Sequence, residues 1–368
     1  MASVIFHEHI TASGEIVGEI RLNAEKKLNA LTLKMIDLIS AKLDAWQSKK
    51  NLVAILLDSE GEKAFCAGGD IIKLHEAMMR DEISPFPTDF FTREYQLDYQ
   101  IHTYPKPIIC WGSGFVMGGG MGLFAGASHR VVTQTSYLAM PEVSIGLYPD
   151  VGASYFLNKL PGNIGLFLGL TAAGINAKDA MALGMADYAL DSNQRAELLE
   201  RLLLADWQAN HHEAVNKTLS SLSVESHAVF DVLPSPIMSH QGLIEDLMSN
   251  DSLSDMLTDL ANIETEEKWL MKAQNTVANG SPVSLVLIKT QLERSVDLTL
   301  KEVFQQELEV SVQCTRHEEL AEGVRALLID KDKAPKWRYD SVAAVEDTYI
   351  EDLLSSPWDK ADHPLRYL

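Results

Sequence analysis

Two glycine-rich turns in the first third of the chain could offer backbone hydrogen-bond donors to a ligand. They span residues 65–70 (FCAGGD) and 112–120 (GSGFVMGGG), and each follows an apolar strand pattern and precedes a helical one. Glycine lets the backbone approach a ligand closely, and the first N–H groups of a helix have no partner inside it. If the two turns converge, two amides can face one oxygen and form an oxyanion hole. For either turn alone, close helix–strand packing is a sufficient explanation. A phosphate-binding loop is a further alternative, but the Lys-Ser/Thr pair and the acidic ribose partner of such loops are missing from the sequence.

Two carboxylates follow in a segment that is otherwise apolar or rich in turn-forming residues. Glu142 comes directly after Pro141, and Asp150 stands between Pro149 and a Val-Gly pair. Carboxylates are costly to bury, so both are candidates for a raised pKa and for acid, base or nucleophile roles. The structural alternative is a helix cap or a turn, and it is a serious one for Asp150.

The elements that would position these residues alternate between strands and helices. Residues 4–11 and 15–22 have strand patterns around a Ser13-Gly14 turn, and residues 32–46 have helical spacing with Thr32 as the N-cap. Further strands are predicted at 51–58, 108–111, 131–132 and 136–140. This alternation predicts an α/β core with right-handed crossovers. Beyond residue 176 the pattern becomes almost wholly helical, with amphipathic segments at 194–210 and 298–314. We predict a catalytic core over 1–210 and a mainly helical region over 211–368.

The composition is that of an ordinary globular chain with an acidic surface. Asp and Glu outnumber Lys and Arg by 52 to 31, which gives a formal net charge of −21. That field repels nucleic acid, and no basic run opposes it. The 3 cysteines lie far apart without metal-ligand spacing, so we expect neither a disulfide framework nor a metal site. No targeting segment and no membrane-length apolar run is recognisable, so a cytoplasmic protein without a membrane partner is expected by default.

Taken together, these segments resemble the crotonase (enoyl-CoA hydratase/isomerase) superfamily, and most closely its 3-hydroxyisobutyryl-CoA hydrolase branch. The resemblance covers most of the chain outside about residues 190–275. It is carried by residues 28–31 (LNAL), 64–70, 90–95, 117–122, 140–152 and 322–332 (EGVRALLIDKD), with 335–337. It implies the α/β crotonase fold, a ClpP-like β-β-α spiral with mixed sheets, followed by an extended helical C-terminal region.

The resemblance also implies roles for individual residues. Gly69 and Gly119 match the two superfamily residues whose amides hold the thioester carbonyl oxygen. Glu142 matches the catalytic glutamate, and Asp150 matches the second acidic residue of the branch. Glu94 matches a further acid that binds the substrate. With Gly119, Glu142 and Asp150, it would form the substrate-binding set.

One departure bears on the reaction. Superfamily hydratases carry a glutamate two residues after the GGG run, whereas this chain has Gly122 there and an acid at Asp150 instead. The resemblance therefore implies hydrolysis of a short branched hydroxyacyl-CoA thioester. The expected reaction converts 3-hydroxyisobutyryl-CoA to 3-hydroxyisobutyrate and CoA in valine catabolism. CoA would belong to the substrate, so no separate cofactor is expected. Enoyl-CoA hydratase or isomerase chemistry, and acyl-CoA binding without turnover, remain alternatives. Self-assembly into a homo-oligomer is left open.

Overall fold

The computed structural model describes residues 2–80, 84–208 and 210–368. The chain forms two compact units, each built from three segments of the sequence. Unit 1 comprises Met1–Gly69, Leu97–Leu138 and Ile175–Met238, and unit 2 comprises Asp70–Gln96, Ala139–Gly174 and Ser239–Leu368. These interleaved units are a different division from the predicted domains 1–210 and 211–368, which stay a prediction.

The strands within the described residues form two sheets. The strands are β1 Val4–Ile10, β2 Ile16–Leu22, β3 Leu52–Ser59, β4 Ala64–Cys66, β5 Ile108–Gly112, β6 Phe115–Met117, β7 His129–Val132, β8 Tyr137–Ala139, β9 Ile175–Asn176 and β10 Tyr188–Ala189. The larger sheet has the order β1-β2-β3-β5-β7-β10, in which β1 pairs antiparallel with β2 and the later neighbours pair parallel. The smaller sheet has the order β4-β6-β8-β9. Parallel and antiparallel pairs occur in both sheets, which are therefore mixed, as the resemblance implies.

Helices occupy most of the remaining described residues. They are α1 Leu33–Gln47, α2 Ile71–Met78, α3 Phe86–His102, α4 Gly119–Gly126, α5 Ala153–Leu157, α6 Ile164–Thr171, α7 Ala177–Ala182, α8 Arg195–Leu204, α9 His211–Asp231, α10 Pro236–Ser239, α11 Gln241–Met248, α12 Leu253–Ala261, α13 Lys268–Asn279, α14 Pro282–Ser295, α15 Leu300–Cys314, α16 Glu318–Val324 and α17 Asp347–Leu353. Within the described chain, none of them is long and apolar enough to cross a membrane.

Unit 1 is held together by an apolar core between its larger sheet and its helices. Val17, Ile109 and Val131 from the sheet pack in one buried cluster with Leu198 of α8 and Leu219 of α9. The continuous apolar run in β3 is buried along nearly its whole length, as expected of a strand covered on both faces. This sheet fixes the end of β5, the strand that leads into the second glycine-rich turn.

Several predicted boundaries are confirmed, and one helix is shorter than predicted. Thr32 caps α1 by accepting a hydrogen bond from the amide of Met35, as predicted. The predicted helical segment 194–210, in contrast, ends at Leu204, and Ala205 is extended. Trp207 turns into the core and donates its indole N–H to the carbonyl of Leu202 at 3.0 Å. The same carbonyl also accepts from the amide of Ala205 at 3.3 Å, so both bonds satisfy the end of the helix.

The regular secondary structure of unit 2 is almost entirely helical. Its longest helices are α14 and α15, and both begin at a capping residue: Ser281 accepts from the amide of Ser284, and Thr299 forms a reciprocal capping box with Glu302. α15 buries polar residues as well as apolar ones, with both Glu307 and Ser311 at 0% exposure. Because a buried polar group needs a hydrogen-bonding partner, these two positions mark where α15 meets polar atoms.

Candidate functional site

The two glycine-rich turns lie side by side in unit 1. β4 and β6, which lead into them, are neighbouring parallel strands, with Cys66 paired to Val116. The carboxyl ends of parallel neighbours lie at the same edge of a sheet. A Cβ atom added to Gly68 would lie 3.7 Å from the carbonyl oxygen of Met117, so the two turns are in contact. The structure therefore brings the two turns together. We call them the amide turns, because they carry the amides of Gly69 and Gly119.

The second amide turn requires glycine because of its packing on the first. Gly118 has φ 48° and precedes α4, whose first residue is Gly119. An amide at the first position of a helix has no acceptor within the helix, so the amide of Gly119 is not consumed by α4. A Cβ on Gly120 would lie 2.4 Å from the carbonyl oxygen of Cys66, too close for any side chain. Gly120 thus lets the start of α4 press against the end of β4.

The segment at residues 28–31 braces the first amide turn. The amide of Ala67 donates to the carbonyl of Leu28 at 3.0 Å, and the amide of Leu31 donates to the carbonyl of Gly68 at 2.8 Å. Asn29 is buried and has φ 55°, a conformation that asparagine tolerates better than most residues. Its side-chain amide donates to the carbonyls of Glu60 and Ala64, both at 2.9 Å. These bonds explain why this segment belongs to the motif, which the sequence pattern alone left unexplained.

Position 122 is a glycine because a carboxylate lies against it. A Cβ on Gly122 would lie 2.6 Å from an oxygen of Asp98, a residue with 0% exposure on α3. A longer side chain at position 122, such as the hydratase glutamate, would therefore displace Asp98. The sequence had signalled the missing glutamate, whereas the carboxylate beside it is a finding of the structure.

Glu142 lies in unit 2 at the start of a short helical turn, Glu142–Ile145, that follows Pro141. Its side chain is 5% exposed, so it is turned away from bulk solvent. Its Oε2 atom is buried without a hydrogen-bond partner among the described residues. Burial raises the pKa of Glu142 well above its ordinary value, and the nearby charges of Asp150 and Glu94 raise it further. A carboxyl group that has a raised pKa and one oxygen without a hydrogen-bond partner is suited to accept a proton from a bound molecule.

Asp150 lies in a turn, but its carboxylate does not cap the following helix. The backbone carbonyl of Asp150 accepts from the amide of Ala153, and Gly152, at φ 84°, precedes α5 without a side-chain cap. The carboxylate instead accepts a 2.6 Å hydrogen bond from the hydroxyl of Tyr95. Burial raises the pKa of Asp150 to about 6, and the Tyr95 hydrogen bond opposes that rise. The turn-capping alternative for this side chain is therefore not what the structure shows.

Glu94 is the third predicted acidic site residue, and the structure buries it in unit 2. It lies on α3, is 3% exposed, and has one carboxyl oxygen without a hydrogen-bond partner among the described residues. Burial raises its pKa well above the ordinary value, and the charge of Asp150 adds to the rise. Because Asp150 perturbs both Glu94 and Glu142, these three form one electrostatically coupled group, which we call the carboxylate cluster.

Residues that the sequence did not single out hold Asp150 in place. Ser311 of α15 lies 2.7 Å from the hydroxyl of Tyr95, and the carboxylate of Glu307 accepts from the amides of Gly152 at 2.6 Å and of Ser154 at 2.9 Å. The sequence carried one signal that could have identified these buried polar residues, namely the spacing of Glu307 and Ser311. They stand one helical turn apart on the apolar face of an amphipathic helix, where polar residues need partners.

The fold and the site define a class of protein that comparisons with known proteins identify. The family model for enoyl-CoA hydratase/isomerase matches residues 17–354, and the chain belongs to that family. Two solved structures cover nearly the whole chain at 30% sequence identity. The structure of an enoyl-CoA hydratase from Rhodobacter sphaeroides covers 97% of this chain and 98% of its own, with a TM-score of 0.82. That of a carnitinyl-CoA dehydratase from Mycobacterium thermoresistibile covers 98% of each chain, with a TM-score of 0.84. The predicted crotonase fold is confirmed.

Curated relatives narrow the class to a branch. A protein of Danio rerio, named 3-hydroxyisobutyryl-CoA hydrolase, mitochondrial, is 37% identical over 339 residues, which are 92% of this chain and 87% of the relative. The Homo sapiens protein of the same name is 35% identical over 340 residues, 90% of this chain and 86% of the relative. The predicted family and branch are confirmed.

The expected cytoplasmic location is wrong. The relatives from Danio rerio, Gallus gallus and Homo sapiens all bear the word mitochondrial in their names. The expectation rested only on the lack of a recognisable targeting or membrane segment. The absence of such a segment carries no information about the compartment in which a chain works.

Proposed function

We propose that this chain hydrolyses 3-hydroxyisobutyryl-CoA to 3-hydroxyisobutyrate and free CoA. Water adds to the thioester carbonyl carbon, the C–S bond breaks, and the thiol leaves with a proton. The observation that carries the proposal is the buried carboxylate cluster, in which Glu142 and Glu94 each keep a carboxyl oxygen without a partner among the described residues. Relatives that share about a third of its residues over nine-tenths of this chain are named for this hydrolysis, which supports the same assignment here.

The amide turns would act on the carbonyl oxygen. As the tetrahedral intermediate forms, negative charge grows on that oxygen, and the amides of Gly69 and Gly119 donate hydrogen bonds to it. Donors that are already oriented do not have to reorganise during the reaction, and each contributes about 3–4 kcal/mol in comparable oxyanion holes. The bracing of the first turn by residues 28–31 supports this role, because it fixes the backbone without using a side chain at the site.

Glu142 would carry out the chemistry at the carbonyl carbon. In one route its carboxylate attacks the carbon, an anhydride forms with release of the thiolate, and water then cleaves the anhydride. In the other route it takes a proton from the attacking water as a general base. Burial and the neighbouring carboxylates raise its pKa, which supports either route because a more basic carboxylate is a stronger nucleophile and a stronger base.

Asp150 and Glu94 would bind the hydroxyl group of the acyl chain and assist proton transfer. A buried site built to hydrogen-bond a hydroxyl rejects an acyl group that lacks it, because its own polar atoms then stay unpaired. This requirement predicts a preference for hydroxyacyl over simple acyl esters. Branched-chain (valine) catabolism is the pathway in which such an ester would arise.

Hydration of an enoyl-CoA is the second candidate, and one observation favours it. The carboxylate of Asp98 lies beside Gly122, so an acidic group remains near the position of the hydratase glutamate. The solved structure of an enoyl-CoA hydratase at 30% identity is consistent with such chemistry on this fold.

A thiol-release assay over three esters separates the candidates. Hydrolysis predicts that 3-hydroxyisobutyryl-CoA releases free thiol fastest, 3-hydroxypropionyl-CoA more slowly, and crotonyl-CoA scarcely at all. Loss of enoyl absorbance from crotonyl-CoA without free thiol would instead establish a hydratase. Tight binding of all three esters without turnover would contradict both and leave a non-catalytic binding protein.

A further inference from the structure

Four buried oxygen atoms and one carbonyl form a continuous chain behind Asp150 in unit 2. The Tyr95 hydroxyl lies 2.6 Å from Asp150 Oδ2 and 2.7 Å from Ser311 Oγ. Ser311 Oγ lies 3.0 Å from the hydroxyl of Tyr148, which donates to the backbone carbonyl of Glu307 at 2.8 Å. Tyr95, Tyr148 and Ser311 are at most 1% exposed. The chain is thus closed to solvent and ends at a carbonyl that can only accept.

We propose that the hydroxyl groups of Tyr95, Ser311 and Tyr148 form a switchable chain that positions Asp150 and lets it gain and lose one proton during the reaction. This inference rests on the proposed function, in which Asp150 assists proton transfer. It assigns Tyr95 and Ser311 as positioning residues for that carboxyl group.

The hydroxyl hydrogens change acceptors along the chain when Asp150 gains a proton. With Asp150 ionised, Tyr95 donates to Asp150, Ser311 donates to Tyr95, and Tyr148 donates to the Glu307 carbonyl, so all three hydroxyl hydrogens have acceptors. When Asp150 takes up a proton, it donates to Tyr95. Tyr95 then turns its hydrogen to Ser311, and Ser311 turns its own to Tyr148. All four hydrogens again have acceptors, no covalent bond changes except the new O–H on Asp150, and no heavy atom needs to move.

An ordinary buried carboxyl lacks this freedom. A hydroxyl or carboxyl hydrogen left without an acceptor in the interior costs about 1–3 kcal/mol, so a fixed donor favours one protonation state. Here the hydroxyl chain satisfies both states of Asp150. Single-proton transfer by this group therefore does not require local unfolding or entry of water.

Several other titratable groups lie around Asp150, and its charge raises the pKa of each of them. Glu94 and Tyr95 face it from α3, Glu142 and Tyr148 from its own segment, and Glu307 and Cys314 from α15. Burial raises the pKa of each of these six groups. The two tyrosine hydroxyls and the thiol therefore stay protonated at neutral pH. The carboxylates can add negative charge, which disfavours ionisation of Asp150. Among the described residues, only the Tyr95 hydroxyl donates a side-chain hydrogen bond to Asp150.

The test is Tyr95→Phe, which deletes the hydroxyl and keeps the ring. The ionised form of Asp150 loses its donor, so its pKa rises, by about one unit for a hydrogen bond to a charged group. The acid limb of kcat/KM for thiol release should move up by about one pH unit, while the plateau at high pH stays within a few-fold of wild type. Ser311→Ala should move the limb in the same direction by a smaller amount, because it acts through Tyr95.

Matched controls separate this effect from a general loss of packing. Tyr104→Phe removes the hydroxyl of a half-buried tyrosine that donates to the Leu43 carbonyl, and Ser295→Ala removes a buried serine that donates to the Gln291 carbonyl. Neither should move the limb. If Tyr95→Phe lowers the rate equally at all pH values, or leaves the profile unchanged, the proposal is wrong.

A direct titration keeps this test independent of the substrate. Infrared difference spectra of the unliganded protein follow the protonated carboxyl band of Asp150, which is assigned by its loss in Asp150→Asn. We expect the midpoint to rise in Tyr95→Phe. An unchanged midpoint would overturn the hydroxyl chain even in an active enzyme. A raised midpoint in a protein that releases no thiol would support the chain and overturn the proposed function.

Discussion

The amide turns and the carboxylate cluster are built on opposite principles. The amide turns use backbone atoms only, fixed by hydrogen bonds with the backbone of Leu28 and Leu31 and by the close contact of Gly120 with Cys66. The carboxylate cluster uses side chains whose ionisation depends on burial and on one another. The first region therefore has no group that titrates near neutral pH, whereas the second does. Hydrogen bonding of the amides to the carbonyl oxygen should be insensitive to pH, and the pH dependence of the reaction should come from the cluster alone.

The largest expected effect is at the cluster. Glu142→Gln keeps the shape of the side chain but cannot act as a nucleophile or base, so thiol release from 3-hydroxyisobutyryl-CoA should fall about 1,000-fold or more. Binding of the ester, measured by calorimetry, should change by only a few-fold. Glu319→Gln is the matched control, because Glu319 is also buried in unit 2 and accepts hydrogen bonds from Ser281 and from the amide of Arg338. If Glu142→Gln keeps its rate within a few-fold, Glu142 is not the reacting group.

Adding a single methyl group to the amide turns should lower kcat. In Gly120→Ala the new Cβ would overlap the Cys66 carbonyl, so the turn must shift and the amide of Gly119 loses its alignment. We expect kcat to fall about 100-fold, the scale of losing one oxyanion donor, without a change in the pH profile. Gly242→Ala is the control, since a Cβ there meets nothing within 4 Å. A shift of the acid limb of the pH profile in Gly120→Ala would show that the amide turns also determine the pH dependence, contrary to this prediction.

Loss of the brace should lower stability together with activity. Asn29→Ala removes three side-chain hydrogen bonds, two to the carbonyls of Glu60 and Ala64 and one from the amide of Ala24, and places alanine at φ 55°. We expect the free energy of unfolding in urea to fall by about 2–3 kcal/mol. Asn29→Gly relieves the backbone strain but not the lost bonds, and should fall between Asn29→Ala and wild type. Equal stability of all three proteins would show that the brace does not hold the turn.

The smallest expected effect is a pH dependence of kcat/KM that arises from the carboxylate cluster. Asp150 is the member whose pKa burial raises to about 6. Since the ionised form is the one that accepts a hydrogen bond from the substrate hydroxyl, kcat/KM should fall about tenfold per pH unit as the pH drops below about 6. Asp150→Asn should flatten that limb. A limb that persists unchanged in Asp150→Asn would assign the titration to another group.

The sequence predicted the glycine turns and both acids of the 140–152 segment, because these lie in short local patterns. It also predicted β3 and β5, which precede the turns and pair in parallel, but not the short strands β4 and β6, whose pairing brings the turns into contact. It could not predict the contact of Tyr95 with Ser311, because 216 residues separate them and only the packing of α3 and α15 brings them together. Nor could it predict that Asp98 fills the space beside Gly122, since the pattern shows only that a glutamate is missing.

A crystal structure of Glu142→Gln with uncleaved 3-hydroxyisobutyryl-CoA bound would show whether both amides hold the thioester. We expect the thioester carbonyl oxygen to lie about 2.7–3.1 Å from the backbone nitrogens of both Gly69 and Gly119. A carbonyl oxygen that contacts neither amide, in a crystal where the ester is fully ordered, would contradict this expectation.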